Sequence, residues 1–407
     1  MKVDPAGAGF DATRLARVED HLRSRYLEPK KIAGCQIVVA RRGQVALSSS
    51  LGSMDLERGK PVYDDTIWRL YSMTKPITGV ALMTLYERGL FQLNDPVHRF
   101  LPEWAHVQVR ERDADGKVEL VPPRRAMTVR DLLMHMAGIG YGPREARLDF
   151  ASLTSGSAAA LGEHTSLEGL SKLLAGEPLR SHPGSRWLYA WSTDVCARLV
   201  EVLSGQSFDD YLRTTIFEPL AMPDTGFWVP DSEVNRFAAC YGRDAQRQLR
   251  LVDDPLTSKY RKRPTFLSGG GGLVSTSADY LRFCRMLLNG GELDGTRVLS
   301  RKTVELMTVN HLPGGGEVRD FAPPGGYGES GFDGTGFGLT VAVGLGPAAA
   351  QSAGSAGSYM WGGLASTAFW IDPAEALIVI FMTQLIPSGT FNFRGQLRAL
   401  VYGAFND

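Results

Sequence analysis

Ser72-Met73-Thr74-Lys75 is the segment of this chain best suited to chemistry. At the start of a helix, residues three apart share a face, so the Lys75 amine would lie beside the Ser72 hydroxyl. A serine at a helix entrance also meets free backbone N–H groups and the positive end of the helix dipole, which stabilise developing negative charge. A hydroxyl with a neighbouring base and nearby donors suits an activated nucleophile. The same tetrad also arises by chance as a capping serine followed by a surface lysine, so the surrounding elements have to decide.

Those elements are readable. Residues 66–71 (TIWRLY) predict a short strand, and SMTKPITGVALMTLYERGL predicts a long helix with Met73, Ile77, Val80, Ala81 and Leu85 on one side. Arg88-Gly89 supplies its stop signal. Residues 11–27 predict a helix with Asp11 as cap, and GCQIVVA and QVALSS, separated by Arg41-Arg42-Gly43, predict a hairpin. Residues 128–136, 194–203, 208–219 and 278–288 predict helices joined by Pro- and Gly-rich connectors. After Leu299 the pattern turns strand-like again in GLTVAVGL, SYMWGG, STAFWID and ALIVIFMTQL, and residues 393–405 predict a last helix. Strands at both ends with helices between imply an α/β sheet domain built from both termini, with a helical domain inserted.

Two further segments carry weight. Tyr189-Ala190-Trp191-Ser192 follows Pro183-Gly184-Ser185 and precedes a helix, while Trp361-Gly362-Gly363 follows Tyr359-Met360 and precedes a strand. With these in order after the tetrad, the chain resembles the serine β-lactamase and penicillin-binding-protein superfamily. TVRDLLMHMAGI, FLSGGGGLVSTSADYLRF and FGLTVAVG extend the resemblance over nearly the whole chain. Within the superfamily it looks closest to the family VIII carboxylesterases and related acyltransferases, which share the class C β-lactamase fold. The resemblance implies an α/β (α+β) fold: an antiparallel sheet flanked by helices, from residues 1–92 and 265–407, with a mainly helical insert over 93–264 and the active site at their interface.

It also implies roles. Ser72 matches the acylated nucleophile, Lys75 its companion base and Tyr189 the tyrosine of the Y-x-N element. Tyr and Lys ordinarily titrate at ~10 and ~10.4, so neither is a good base at neutral pH unaided. Placed together, a cationic lysine favours tyrosinate and burial favours neutral lysine, so either can take the Ser72 proton. Backbone N–H groups of Ser72 and Leu364 would form the oxyanion hole, and Gly362 and Gly363 would let a substrate approach the strand closely.

The departures are informative. The superfamily's lactamases and peptidases carry Lys-Thr-Gly where this chain has Trp361-Gly362-Gly363, and Asn where it has Trp191. That lysine helps hold a substrate carboxylate and that amide binds a substrate amide; an indole offers one N–H donor and an apolar face. Trp361 and Trp191 therefore suit a neutral, apolar acyl ester bound near Gly362 and Gly363, and count against a specialised β-lactamase.

Other signals read as structural. His135, with Asp131 one turn earlier, resembles a triad pair on paper but reads as a structural histidine. No Gly-x-Ser-x-Gly is present, and residues 326–331 form a literal GxGxxG that follows Pro323-Pro324-Gly325 rather than a strand, so no nucleotide fold is implied. Gly344 to Ala349 follows a strand but lacks the acidic residue further on. The basic cluster Lys259, Arg261, Lys262, Arg263 reads as a solvated loop.

The 407 residues carry 44 basic and 44 acidic side chains, a net charge of zero that gives no global attraction to nucleic acid or anionic membrane. Cys35, Cys196, Cys240 and Cys284 have no metal-ligand spacing and read as reduced, buried thiols. The first residues, MKVDPAGAGFDATRL, lack a secretory pattern, and the expectation is a cytoplasmic protein. The reading is a serine carboxylesterase for short-chain acyl esters, working without metal or organic cofactor. The alternatives are an acyltransferase with the same acyl-enzyme, or a weak β-lactamase or D-Ala-D-Ala peptidase.

Overall fold

The structure is a computed structural model that describes residues 1–112, 115–140, 166–323, 328 and 331–407. The chain begins with α1 (Ala12–Leu22), capped by the Asp11 side chain, and then forms β1 (Gly34–Arg41), β2 (Gln44–Asp55) and β3 (Lys60–Pro61). Next come α2 (Thr74–Glu87), α3 (Val129–Leu133), α4 (Leu167–Ala175), α5 (Ser192–Ser204) and α6 (Ser277–Leu288). The C-terminal part adds β4 (Thr335–Phe337), β5 (Ala342–Gly344), β6 (Tyr359–Gly362), β7 (Ala368–Asp372), β8 (Leu377–Thr383) and α7 (Phe393–Tyr402).

The strands form one eight-stranded sheet in the order β4-β5-β6-β7-β8-β1-β2-β3, every pair antiparallel. The expected antiparallel sheet, flanked by helices and assembled from both chain ends, is what the protein adopts. Its centre explains the unbroken apolar runs. In β8, Ile378, Ile380 and Met382 join the core beneath α2 and α6, whereas Leu377, Val379 and Phe381 join the one beneath α1 and α7. Alternate side chains leave opposite faces, and both faces are covered, so no position needs to be polar. Each such side chain is worth roughly 1.5–3 kcal/mol of burial.

Some local expectations change with packing. The strand expected over residues 66–71 is only Trp68–Arg69, paired with Val274–Ser275, because Tyr71 turns the chain with a φ of +46°. GLTVAVGL contributes only β5, because Thr340 at φ +70° makes the turn from β4. Helix α2 reads as one-sided but is buried throughout residues 74–85, since α5 packs along it and its apolar side chains join the core shared with the sheet. Residues 93–264 hold α3 to α5 and two hairpins, Val109–Arg112 with Val118–Val121 and Cys240–Arg243 with Leu249–Asp253. All four cysteines are free and buried, and burial pushes the Cys35 thiol up to about 12. Most of the 326–331 glycine run lies outside the described residues. Among the described residues, no helix is long and apolar enough to cross a membrane.

Candidate active site

The approach to Ser72 is anchored residue by residue. The Arg69 guanidinium is fully buried, donates from Nε to Asp253 at 2.8 Å and lies over the Phe237 ring at 4.0 Å. The Gln384 amide donates to the Arg69 carbonyl at 3.1 Å, and the Leu70 N–H donates to the Leu273 carbonyl at 2.9 Å. Tyr71 then adopts its left-handed conformation, which only a tightly packed setting imposes on a bulky residue. That setting is the cluster of Cys240, Leu364, Ala365 and Ile386, against which the Tyr71 ring packs. Ser72 sits in the short 3₁₀ turn Tyr71–Met73 that opens α2, and the Tyr280 hydroxyl donates to the Met73 carbonyl at 3.0 Å.

One turn into the helix, Lys75 is only 3% exposed. Its Nζ lies 3.3 Å from Ser72 Oγ and 2.7 Å from the Gly270 carbonyl oxygen, and stands over the face of the Tyr189 ring, 4.5 Å from its centroid. A local hydroxyl and groups from two remote parts of the chain thus meet at one amine. Tyr189 is enclosed by other rings: Trp187 stacks on it at 5.8 Å, and His135 and Trp361 meet it edge to face at 4.9 and 5.4 Å. Such packing leaves the phenol little rotational freedom.

The β6 end completes the cluster. Gly363 must be glycine, because a Cβ there would run into the Leu70 carbonyl, two residues before the serine. The Gly363 N–H donates to Thr367, and the Thr367 hydroxyl donates to Leu70 at 3.2 Å, tying the β6–β7 turn to the Ser72 approach. At Gly362 the space a Cβ would take is filled by the Arg394 guanidinium from α7. Leu364 packs in the cluster that seats Tyr71. Trp361 is 1% exposed, and its ring backs Tyr189 and Phe337 and offers almost no open surface of its own. Trp191 is half-buried and meets Phe266 edge to face at 6.2 Å.

His135 is fully buried, and among the described residues neither ring nitrogen has a hydrogen-bond partner. Burial, with the nearby Lys75 charge, holds its imidazole well below the usual range. Asp131 bonds Arg125 and Thr128 instead of His135, so no triad pair forms.

Sequence reading took in the glycine run Gly269 to Gly272 by resemblance but passed over the groups that clamp it and over Asp194. The glycine run is clamped from both sides: the Thr78 hydroxyl donates to the Gly269 carbonyl at 2.7 Å, and the Leu273 N–H donates to the Thr74 hydroxyl at 3.1 Å. From α5, Asp194 accepts from Ser268 Oγ at 2.6 Å and from the Gly270 N–H at 3.0 Å. Burial pushes its carboxyl up, opposed by the Ser268 bond and the Lys75 charge. Four consecutive glycines beside a predicted helix were the available signal; an aspartate in a helical first turn carries none.

A hydroxyl, an amine and a phenol gathered under the rim of an antiparallel sheet define an enzyme of the serine-hydrolase class. A model of the β-lactamase family matches residues 18–402, and the chain belongs to that family. Protein Rv1367c of Mycobacterium tuberculosis is 33% identical over 360 residues, covering 88% of this chain and 86% of the relative. Esterase EstB of Burkholderia gladioli is 31% identical over 403 residues, covering 95% of each chain. Among solved structures, the LovD6 mutant of simvastatin synthase from Aspergillus terreus superposes with a TM-score of 0.79 at 25% identity, covering 98% of this chain and 99% of that one.

Proposed function

We propose that the protein is a carboxylesterase that hydrolyses short-chain acyl esters through an acyl-enzyme on Ser72. The observation that carries this reading is the position of Lys75 Nζ, 3.3 Å from Ser72 Oγ and over the Tyr189 ring. Ser72 Oγ attacks the ester carbonyl while its proton passes to the Lys75–Tyr189 pair. The N–H groups of Ser72 and Leu364 hold the oxyanion. Collapse of the tetrahedral intermediate expels the alcohol, which takes the proton from the same pair. Water then attacks the acyl carbonyl, gives its proton to the pair, and releases the acid as Ser72 regains a proton. Gly363 lets the β6–β7 turn close onto the Ser72 approach, Trp361 backs the Tyr189 ring, and half-buried Trp191 gives the acyl group an apolar surface. EstB, named an esterase, supports the hydrolytic outcome over nearly the full length of both chains.

A second reading has its own support, the superposition with simvastatin synthase. In this reading an alcohol acceptor takes the acyl group from Ser72 of this chain in place of water. The two readings share every residue above and differ in what reaches the acyl carbonyl. A small-molecule ester is the partner in both, and the protein works in the cytoplasm.

The test is a series of p-nitrophenyl acyl esters of increasing chain length, together with a phosphonate inhibitor whose adduct is mapped by mass spectrometry. The expected result is turnover that favours short chains, a phosphonate on Ser72, and a loss on the order of 10⁴-fold or more in Ser72→Ala. A Ser72→Ala variant with full activity overturns the mechanism. Added alcohol acceptors that divert product from acid to ester favour the transferase reading, and efficient opening of a chromogenic cephalosporin favours a lactamase.

A further inference from the structure

Asp194 lies in the first turn of α5, where an acidic side chain ordinarily faces solvent and gains a few tenths of a kcal/mol from the helix dipole. Here it is 3% exposed. Burying a carboxylate is costly unless something compensates it. The compensation is specific: Oδ1 accepts from the Ser268 hydroxyl at 2.6 Å and from the Gly270 N–H at 3.0 Å. The carbonyl of that same Gly270 accepts from Lys75 Nζ at 2.7 Å. One glycine residue therefore bridges a buried carboxylate and a buried amine.

The bridge has no slack. A Cβ on Gly270 would stand 2.5 Å from Asp194 Oδ2, and one on Gly269 would stand 2.6 Å from Ala197 Cβ and 2.9 Å from the Thr193 carbonyl. The glycine run rests directly on the first turns of α5. Tyr189 lies five residues before Asp194, on the segment that leads into the same helix. Whatever fixes this end of α5 against Gly270 also fixes the Tyr189 ring against Lys75.

We propose that Asp194 is a positioning residue for the proton-transfer pair: through Gly270 it holds Lys75 against Ser72, through the first turn of α5 it holds Tyr189 in the same frame, and its charge balances that of Lys75. The resembling lactamases place an amide at the position of Trp191; this chain puts its polar group one turn later, at Asp194. The proposal rests on the assignment of Lys75 and Tyr189 as the proton-transfer pair.

The charge role has a definite sign. Among the described residues, the ionisable groups that face Asp194 or Lys75 include Tyr189 on the segment before α5, His135 after α3, and Cys196 on α5. Burial keeps His135 neutral and holds the Cys196 thiol protonated. Removing the negative charge makes the Lys75 cation less favourable, and it equally favours tyrosinate over a neighbouring carboxylate. Both effects move the acidic limb of kcat/KM to lower pH.

Asp194→Asn keeps an oxygen acceptor for Ser268 and Gly270 and removes only the charge, whereas Asp194→Ala removes both. For Asp194→Asn the expected result is a KM within about twofold of wild type, an acidic limb lowered by about one pH unit, and kcat down about tenfold. For Asp194→Ala, kcat falls about 100-fold, the scale of an ångström's misplacement of a catalytic group. Asp194→Glu, with the charge but a longer reach, recovers the wild-type limb without recovering full kcat. Phosphonate labelling of Ser72 in the wild type is measured alongside. A wild type unlabelled at Ser72 overturns the esterase reading, and this inference with it. A labelled wild type beside an Asp194→Asn variant with unchanged rate and limb overturns the inference alone. So does an Asp194→Ala variant that loses thermal stability and keeps wild-type kcat. Should Asp194→Ala fail to fold, the isosteric Asn variant decides.

Discussion

Gly269→Ala adds one methyl group at the contact between the glycine run and α5. Its Cβ would meet Ala197 Cβ at 2.6 Å and the Thr193 carbonyl at 2.9 Å. Carbon atoms pack best at about 3.5–4.0 Å, so the loop and the helix must separate by roughly 1 Å. Overpacking of this kind costs about 1–3 kcal/mol. For 407 residues the unfolding entropy is about 0.85 kcal/mol/K, which makes the expected fall in Tm only about 1–4 °C. The kinetic effect is larger, because the displaced loop carries the Gly269 carbonyl that binds Thr78 and the neighbouring Gly270 carbonyl that binds Lys75. Misplacing a catalytic amine by 1 Å costs about 100-fold in rate. The assay is kcat/KM on p-nitrophenyl butyrate beside a thermal melt. The companion variant is Gly269→Ala with Ala197→Gly, which removes the nearer clash and recovers part of the rate. A Gly269→Ala enzyme with lowered Tm and full kcat/KM would refute the claim that this contact sets the geometry of Lys75.

Asp253→Ala leaves the fully buried Arg69 guanidinium without its carboxylate, three residues before the serine. A broken pair of this type costs about 3 kcal/mol, so Tm falls about 3–4 °C and kcat falls with it; an unchanged melt would contradict the anchoring role. His135→Phe keeps an aromatic ring among Trp187, Tyr189 and Phe337 but removes a titrating group. Because the folded imidazole resists protonation, the unfolded chain binds the additional proton, and wild-type stability drops as pH falls through about 6.5. Between pH 7 and 5 this group contributes a loss of up to about 2 kcal/mol. The variant's Tm should therefore decline less steeply by about 2 °C, and parallel curves for the two proteins would count against a neutral, caged histidine.

Sheet strands β1 and β8 were legible because they carry unbroken apolar runs, Ile37 to Ala40 and Leu377 to Met382, a pattern that a strand covered on both faces requires. Helix α1 showed through its Asp11 cap and helical apolar spacing, and α5 through its amphipathic pattern closed by Ser204-Gly205. The strand before Ser72 was over-read, because β-propensity over residues 66–71 does not reveal that Tyr71 is forced to positive φ by Cys240 and Leu364, which are remote in sequence. Trp361 was readable as an aromatic replacement for a lysine, yet its near-complete burial depends on Tyr189 and Phe337 closing over it.

The sequence by itself determined what is local: a serine and a lysine three residues apart at a helix entrance, a sheet assembled from both chain ends, and two tryptophans where polar groups would serve a carboxylate or an amide. Tertiary structure alone decided which groups confront that amine. The Gly270 carbonyl is 195 positions from Lys75 along the chain, and Asp194 reaches it only through that peptide. Helical periodicity can bring Lys75 to Ser72, but contacts across such distances arise from the packing of α2, α5 and the glycine run against one another, and no short stretch of sequence encodes them.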